Sequence, residues 1–506
     1  MKWVVLYLSY LIIFLCFLLH FPSYNCLVCN PYDKHALLQF KNSFVVVNSS
    51  LGFDYCSSHS SETESWKNIT DCCGWDGVTC NSSSGHVIGL DLSCSSLRGE
   101  VLGPNSSIFR LSHLQQLSLA FNDFSASSIH SAIGDLVNLT DLTLSWHGTS
   151  GDVPSTISHL SKLQYLYLSG DSRTRLDPYT WNKLIQNATN LREISLEGVN
   201  MSCVGERSLS LLTNLSSSLV SLQLSDTQIQ GKWPTQIFRL LNLQEIDLSY
   251  NENLRGELPN SNWTTSLSVL SLSQTAFSGY IPHSIAHLKS LNVLILSGCS
   301  FNGFLPPSLF NLTQLYFLDL SYNELVGPIP TQITELSKLS YLFLSGNMLN
   351  GLIPRWCYSL PSLSMLDLHH NQLTGSIGEF SNFLQTLWLS NNKLQGNFPN
   401  SIFGLQSLVF LSLQSTDLSG VVDFHQFSKL RALDYLDLSN NSFLSVNFEY
   451  NFDYVLPNLR YLSLSSCNVS SFPKFLAPLQ SLQVLDLSDN IIGGSTTKSE
   501  RFRSFS

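Results

Sequence analysis

LYFLDLSYNELVGPIP, running from Leu315 to Pro330, is the stretch on which the fold turns. Its pattern, L-x-x-L-x-L-S-x-N-x-L-x-G-x-I/L-P, returns in copy after copy from Leu243 to Asn490. The first strand leucine falls at Leu270, Leu294, Leu318, Leu342 and Leu366, in steps of 24 residues; elsewhere the steps run from 21 to 28. Within each copy L-x-L alternates apolar and polar, so a short strand sends its leucines inward and its x residues outward. A single unit has no partner for its strand edges or its leucines. Parallel stacking pairs the strands ~4.8 Å apart and stabilises by about 1.5–3 kcal/mol for each fully buried leucine. Self-similarity at this period means a stacked solenoid, which offers an extended surface rather than a cleft.

After the strand the chain places Asn122, Asn251, Asn323, Asn347, Asn371, Asn392, Asn441 and Asn490. A buried carboxamide at a turn satisfies backbone groups that stacking would leave unpaired. Cys299, Cys467, Thr227, Thr275 and Thr416 fill the same slot, where a hydroxyl or thiol partly replaces the amide. Each unit then closes on G-x-I/L-P, as in Gly279-Tyr280-Ile281-Pro282, Gly327-Pro328-Ile329-Pro330 and Gly351-Leu352-Ile353-Pro354. Glycine permits the bend; proline fixes φ and removes a donor at the edge. This ending resembles the plant extracellular leucine-rich repeat class. The resemblance implies an α/β repeat: a right-handed leucine-rich repeat solenoid with a parallel concave β-sheet, a second sheet from G-x-I-P, and a disulfide-bonded helical cap at the amino end.

Lys2 precedes an apolar run from Val4 to Leu19, the length of a signal-peptide core, and residues 1–28 are expected to be that peptide. The alternative is an uncleaved anchor, since the run approaches the ~20 residues that span a bilayer. Then come CNPYDKHALLQFKNSF from Cys29 to Phe44, Trp66, and CCGWDGVTC from Cys72 to Cys80. Ala36, Leu37 and Phe40 have helical spacing, so a short helix can cover the first strand's leucines. Four cysteines allow three connectivities, and the spacing alone does not choose among them. This segment resembles the cap of plant receptor-like proteins, receptor kinases and polygalacturonase inhibitors, which implies Cys29–Cys72 and Cys73–Cys80. Cys56 and Cys94 sit where leaf-mould resistance proteins also carry cysteines, and a third bridge is expected there. Cys299, Cys357 and Cys467 read as packed thiols; no zinc-suited spacing links them, and neither metal nor cofactor is expected. The organisation reads as a cap over 29–85, about 17 repeats over 86–494, and a divergent tail over 495–506.

Sequons stand at Asn48, Asn68, Asn81, Asn105, Asn138, Asn187, Asn200, Asn214, Asn262, Asn311, Asn440 and Asn468. With an apolar leader and a paired-cysteine cap they argue for the secretory pathway. A formal charge of −10 argues against nucleic acid as a partner. Asp319, Asp367, His369 and His370 are the nearest approach to a catalytic constellation. The aspartates recur in the repeated L-D-L-S at Asp91, Asp247, Asp437 and Asp486, so they belong to the pattern, and no nucleophile or third ligand accompanies the histidines. No G-x-S-x-G, H-E-x-x-H or phosphate-cradling loop is present, and an enzyme is not expected.

The exposed x positions are the candidate contact surface. Phe317, Tyr322, Tyr341, Phe343, Met365, His369, His370 and Trp388 lie across four consecutive strands. Exposed aromatics anchor recognition, though in such sheets they also pack on one another. The histidines would make binding there sensitive to acidity. Glu193, Glu197, Asp226, Glu245 and Asp247 form an acidic group, read as a solvated surface or as complementary to a basic partner. The chain as a whole resembles the ectodomain of plant receptor-like proteins of the leaf-mould and Verticillium resistance type. That implies recognition of an extracellular protein, peptide or glycan, signalling through a partner receptor kinase, and a place in the secretory pathway. It further implies the plasma-membrane outer face for a longer product and the apoplast for the chain as it stands. Such relatives continue into more repeats and a membrane span, whereas here STTKSERFRSFS follows Gly494, so a truncated portion is expected. The alternative is a secreted inhibitor of a microbial wall-degrading enzyme, a class that resembles shorter solenoids of about ten repeats.

Overall fold

The computed structural model describes residues 28–47, 56, 62–124, 127–145, 150–170, 173–261, 263–333, 336–381, 383–448, 456–470 and 479–493. The expected signal segment before Val28, the sequons at Asn48 and Asn262, and the tail from Gly494 onward lie outside these residues. The chain divides into two compact units, 1–163 and 164–506.

The first unit opens on helix α1, Pro31–Lys41. Asn30 caps it by accepting the Tyr32 amide at 2.9 Å, and Pro31 supplies a pre-set φ in the first turn. Ala36, Leu37 and Phe40 are the buried apolar face. Asp33, on the same helix, is buried and accepts the Val87 amide at 2.9 Å while pairing with His86 Nδ1 at 3.1 Å, so the helix is tied to the first strand of the sheet. Disulfides join Cys29 to Cys72, Cys56 to Cys94 and Cys73 to Cys80. The Cys29, Cys72, Cys73 and Cys80 sulfurs lie within 4.8 Å of one another and are spent in the two bridges. Trp66 stacks on Trp75 at 5.4 Å and donates its indole N–H to Asp76 O. Val78–Cys80 runs antiparallel to Val87–Asp91, and from there the sheet is parallel, through Gln116–Ser118 to Asp141–Thr143.

In the second unit the parallel sheet runs rung upon rung with matched leucines: Leu294, Leu318, Leu342, Leu366, Leu387 and Leu411 are successive partners. All six are fully buried. The Asn slot ties each rung to the one before. Asn323 Nδ2 donates to Leu296 O of the preceding repeat at 2.8 Å and to Leu320 O at 3.1 Å, while its Oδ1 accepts the Phe301 amide at 3.0 Å. Cys299 does part of this work, its thiol reaching Leu272 O at 3.0 Å, and Cys467 likewise reaches Leu438 O at 2.9 Å. Burial pushes the Cys467 thiol up to about 11, so it stays a neutral donor.

The G-x-I-P segments form a second parallel ladder through Ala276–Tyr280, Ser300–Phe304, Glu324–Pro328, Met348–Leu352, Gln372–Gly375 and Lys393–Asn397. Its glycines answer two demands at once. Gly327 has φ +79°, and a Cβ there would stand 2.3 Å from Cδ1 of Phe304 in the previous rung. The return segments are mostly single 3-10 turns such as His283–His287 and Pro307–Asn311; a full α-helix, α2, occurs at Pro178–Asn187. No helix among the described residues is long and apolar enough to cross a membrane.

Candidate binding face

Pleating turns the residues flanking each core leucine to the outer side of the first sheet. On Phe317–Asp319, Tyr341–Phe343, Met365–Asp367 and Thr386–Trp388 this puts Phe317, Tyr341, Phe343, Met365 and Trp388 on one face. The rings are half-buried rather than freely exposed, because each leans on the next. Phe317 lies 5.4 Å from both Tyr341 and Phe343, and Tyr316 meets Tyr341 edge-on at 5.2 Å. The packing seen in such sheets thus accounts for part of every ring; what remains is a partly exposed aromatic surface, with Met365 on the rung between Tyr341 and Thr386.

His369 departs from the expectation of an exposed imidazole. It occupies the slot that serine fills at Ser321, Ser345 and Ser390, and it is only 4% exposed. Its Nδ1 lies 2.5 Å from Asp367 Oδ1, its Nε2 lies 3.3 Å from the Tyr322 hydroxyl, and its ring stacks on Trp388 at 3.9 Å with 13° between planes. Trp388 in turn donates its indole N–H to Ser390 Oγ at 2.5 Å. Asp367 is buried with it. The serine slot is deep because the chain turns there, so a larger side chain goes down beside the strand instead of out. Tyr322 and His370, one place further on, do face solvent: both sit in left-handed turns, with φ of 54° and 50°, and Tyr322 is 57% exposed. His370 Nε2 stands 3.4 Å from Asn391 Nδ2.

The row does not stop at Trp388. Phe410 follows at 5.4 Å, then Tyr435 and Tyr461, each stacked at 4.2 Å on its predecessor with planes 11° and 7° apart. These three hold the same x position before the core leucine. They are 25 and 26 residues apart, against the prevailing 24, and strand pairing keeps them in line. Burial first, and the Asp437 charge second, push the Tyr435 phenol well above its ordinary range, so it remains a donor.

Further back on the same sheet lie the acidic residues. Ser221 Oγ donates to Glu245 at 2.8 Å, Tyr167 donates to Glu193, and Asp247 accepts the Ser249 amide at 2.9 Å. Glu197 has its carboxyl raised above the usual range, by burial and then by the charges of Asp247 and Asp226. The face therefore runs from clustered carboxylates to aromatic rings. Asp367 and His369, both buried, hold each other beside Trp388 and Tyr322.

The family model described as leucine rich repeat N-terminal domain matches residues 30–81. Leucine rich repeat models match 313–373 and also 290–312, 383–405 and 458–479. Receptor-like protein Cf-9 of Solanum pimpinellifolium is 37% identical over 273 residues, covering 52% of this chain and 31% of that relative. Receptor-like protein 6 of Arabidopsis thaliana is 39% identical over 272 residues, covering 52% of this chain and 27% of that relative. The match thus spans less than a third of either relative's length. Among solved structures, that of a TDR receptor is 26% identical with a TM-score of 0.60, covering 81% of this chain and 78% of that one.

Proposed function

Taking the chain as a leucine-rich repeat protein related to plant receptor-like proteins, we propose that it is the extracellular ligand-recognition portion of such a receptor. The observation that carries this is the aromatic row on the first sheet. From Phe317 to Trp388 the parallel register holds Phe317 and Tyr341 just before the core leucine and Phe343 and Trp388 just after it, all on the outer side, giving large contact area at low entropic cost. Phe317, Tyr322, Tyr341, Phe343, His370 and Trp388 are the contact residues in this reading, with His369 beneath them as a support. The ligand is an extracellular protein, peptide or glycan, and a partner receptor kinase relays the signal. The face is read as a binding surface: the Asp367–His369 pair on it is buried, with the His369 ring stacked on Trp388.

Thermal unfolding of the secreted chain, titrated with fractions of extracellular fluid from challenged plants, tests this. A ligand for the folded face raises Tm by mass action. A fraction that raises Tm of the wild type and leaves the Tyr341→Ala, Phe343→Ala, Trp388→Ala variant unshifted is the expected result. An equal shift in both proteins would move the site off these strands.

A further inference from the structure

The described sequons do not all fall on one side of the repeats. Asn187 ends helix α2, Asn214 lies in the 3-10 turn Leu211–Leu215, and Asn311 ends the turn Pro307–Asn311, all on return segments away from the strand face. Asn440 is different. It lies in the turn directly after strand Tyr435–Asp437, solvent-exposed, with its amide donating to Ser465 O at 2.9 Å.

This turn position recurs as Tyr322, His370, Asn391 and Ser415, every one with left-handed φ between 50° and 54°. It forms the rim of the strand face. At Tyr322 the side chain leans forward over that face far enough for its hydroxyl to reach His369, 47 residues on. Asn440 has φ 57°, and its Nδ2 lies 3.3 Å from Ser415 Oγ on the neighbouring rung, so its amide also lies along the rim. Asparagine suits a left-handed turn for its own sake, and Asn391, followed two places on by Lys393, completes no acceptor sequence. Asn440-Asn441-Ser442 instead completes an acceptor sequence, with Ser442 exposed.

We propose that Asn440 carries an N-linked glycan standing on the rim of the strand face. It covers the stacked rings of Phe410, Tyr435 and Tyr461 and leaves the rings from Phe317 to Trp388 as the open part of the face. In the transfer, Asn440 Nδ2 bonds to the anomeric carbon of a lipid-diphosphate-linked oligosaccharide; Nδ2 loses one proton and the lipid diphosphate leaves. The N–H that remains is free to keep its bond to Ser415 Oγ. Phe410, Tyr435 and Tyr461 already cover one another's faces at 4.2 Å, so only their outer edges are left for a rim glycan to cover. Attachment requires only passage through the secretory pathway. The consequence for recognition rests on the reading of the face given above.

The chain secreted from plant cells is the material for the test, and no ligand is needed. Glycopeptide mass spectrometry reads occupancy at Asn440. Hydroxyl-radical footprinting then compares Tyr435, Tyr461 and Tyr341 in the wild type, in Ser442→Ala, in Asn440→Gln, and in wild type deglycosylated after folding. Occupancy at Asn440 is expected, with severalfold faster labelling of Tyr435 and Tyr461 in every sugar-free form and unchanged labelling of Tyr341. Should a variant fail to be secreted, the enzymatically deglycosylated wild type supplies the same comparison. An unoccupied Asn440, or equal labelling with and without the sugar, overturns the proposal and leaves the ligand reading standing.

Discussion

Asn347 illustrates how much one side chain carries here. It donates to Leu320 O, Leu344 O and Ser345 O at 3.0–3.1 Å and accepts the Leu325 amide at 3.1 Å, joining adjacent repeats through fully buried groups. Asn347→Ala leaves these groups unpaired, and about 1–3 kcal/mol is lost for a buried donor or acceptor so orphaned. Asn347→Cys should lose less, because the thiols of Cys299 and Cys467 hold the equivalent carbonyl in their own repeats. Urea midpoints of the two variants check the ranking; equal losses would mean the carbonyl contact is worthless. Glu197 gives a residue-scale prediction of opposite sign. Its folded pKa is raised, by burial and then by Asp247 and Asp226, so its contribution to stability is present below the unfolded carboxylate value and lost as pH rises through the folded one. Glu197→Gln is therefore expected to stabilise at pH ~7, with the gain vanishing below the ordinary glutamate value of ~4.3. Stability curves of the two proteins against pH decide it, and a gain that grows on acidification would refute the assignment.

At the scale of the element, the second ladder is the sensitive part. Gly327 and Gly351 share a left-handed backbone, with φ of +79° and +74°, but only Gly327 lies under a ring: an added Cβ would meet Phe304 at 2.3 Å, against 3.5 Å to Pro328 at Gly351. Gly351→Ala should lose only the backbone term, roughly 1–2 kcal/mol for a left-handed residue with a Cβ. Gly327→Ala should lose more, and Phe304→Ala in the same chain should recover the difference. A double-mutant cycle reads that coupling directly; zero interaction energy would mean that Phe304 swings aside without cost.

Over a whole unit, stability in a stacked array is close to a sum of rung and neighbour terms, so protection follows how well each rung is covered. Leu318, Leu320, Leu342 and Leu344 are fully buried between neighbours, whereas Leu482, Leu485 and Leu487, around strand Val484–Asp486, are only partly covered. Hydrogen exchange is expected to show strong protection from Leu318 to Leu344 and weak protection from Leu482 onward. Uniform protection along both segments would mean that the unit opens as one block.

The repeat, the first ladder, the inward leucines and the buried Asn column were legible from Leu315 to Pro330 and its copies, because a period encodes stacking directly: each unit can bury its leucines only against another like itself. The second ladder was expected only from the family resemblance of the G-x-I-P ending. The aromatic row was legible in part. Its members were marked by their place beside the core leucine. Phe410, Tyr435 and Tyr461 hold that place beside Leu411, Leu436 and Leu462, but their face-to-face stacking is set by strand pairing and ring orientation, which no repeat pattern records. What only the tertiary structure decided was depth. His369 and His370 are neighbours in sequence, yet one lies buried between Asp367, Tyr322 and Trp388 and the other stands in solvent. Tyr322 is 47 residues from His369, and Trp388 belongs to the next rung. No local pattern specifies that meeting, because burial at a turn is set by what the adjoining rungs place against it.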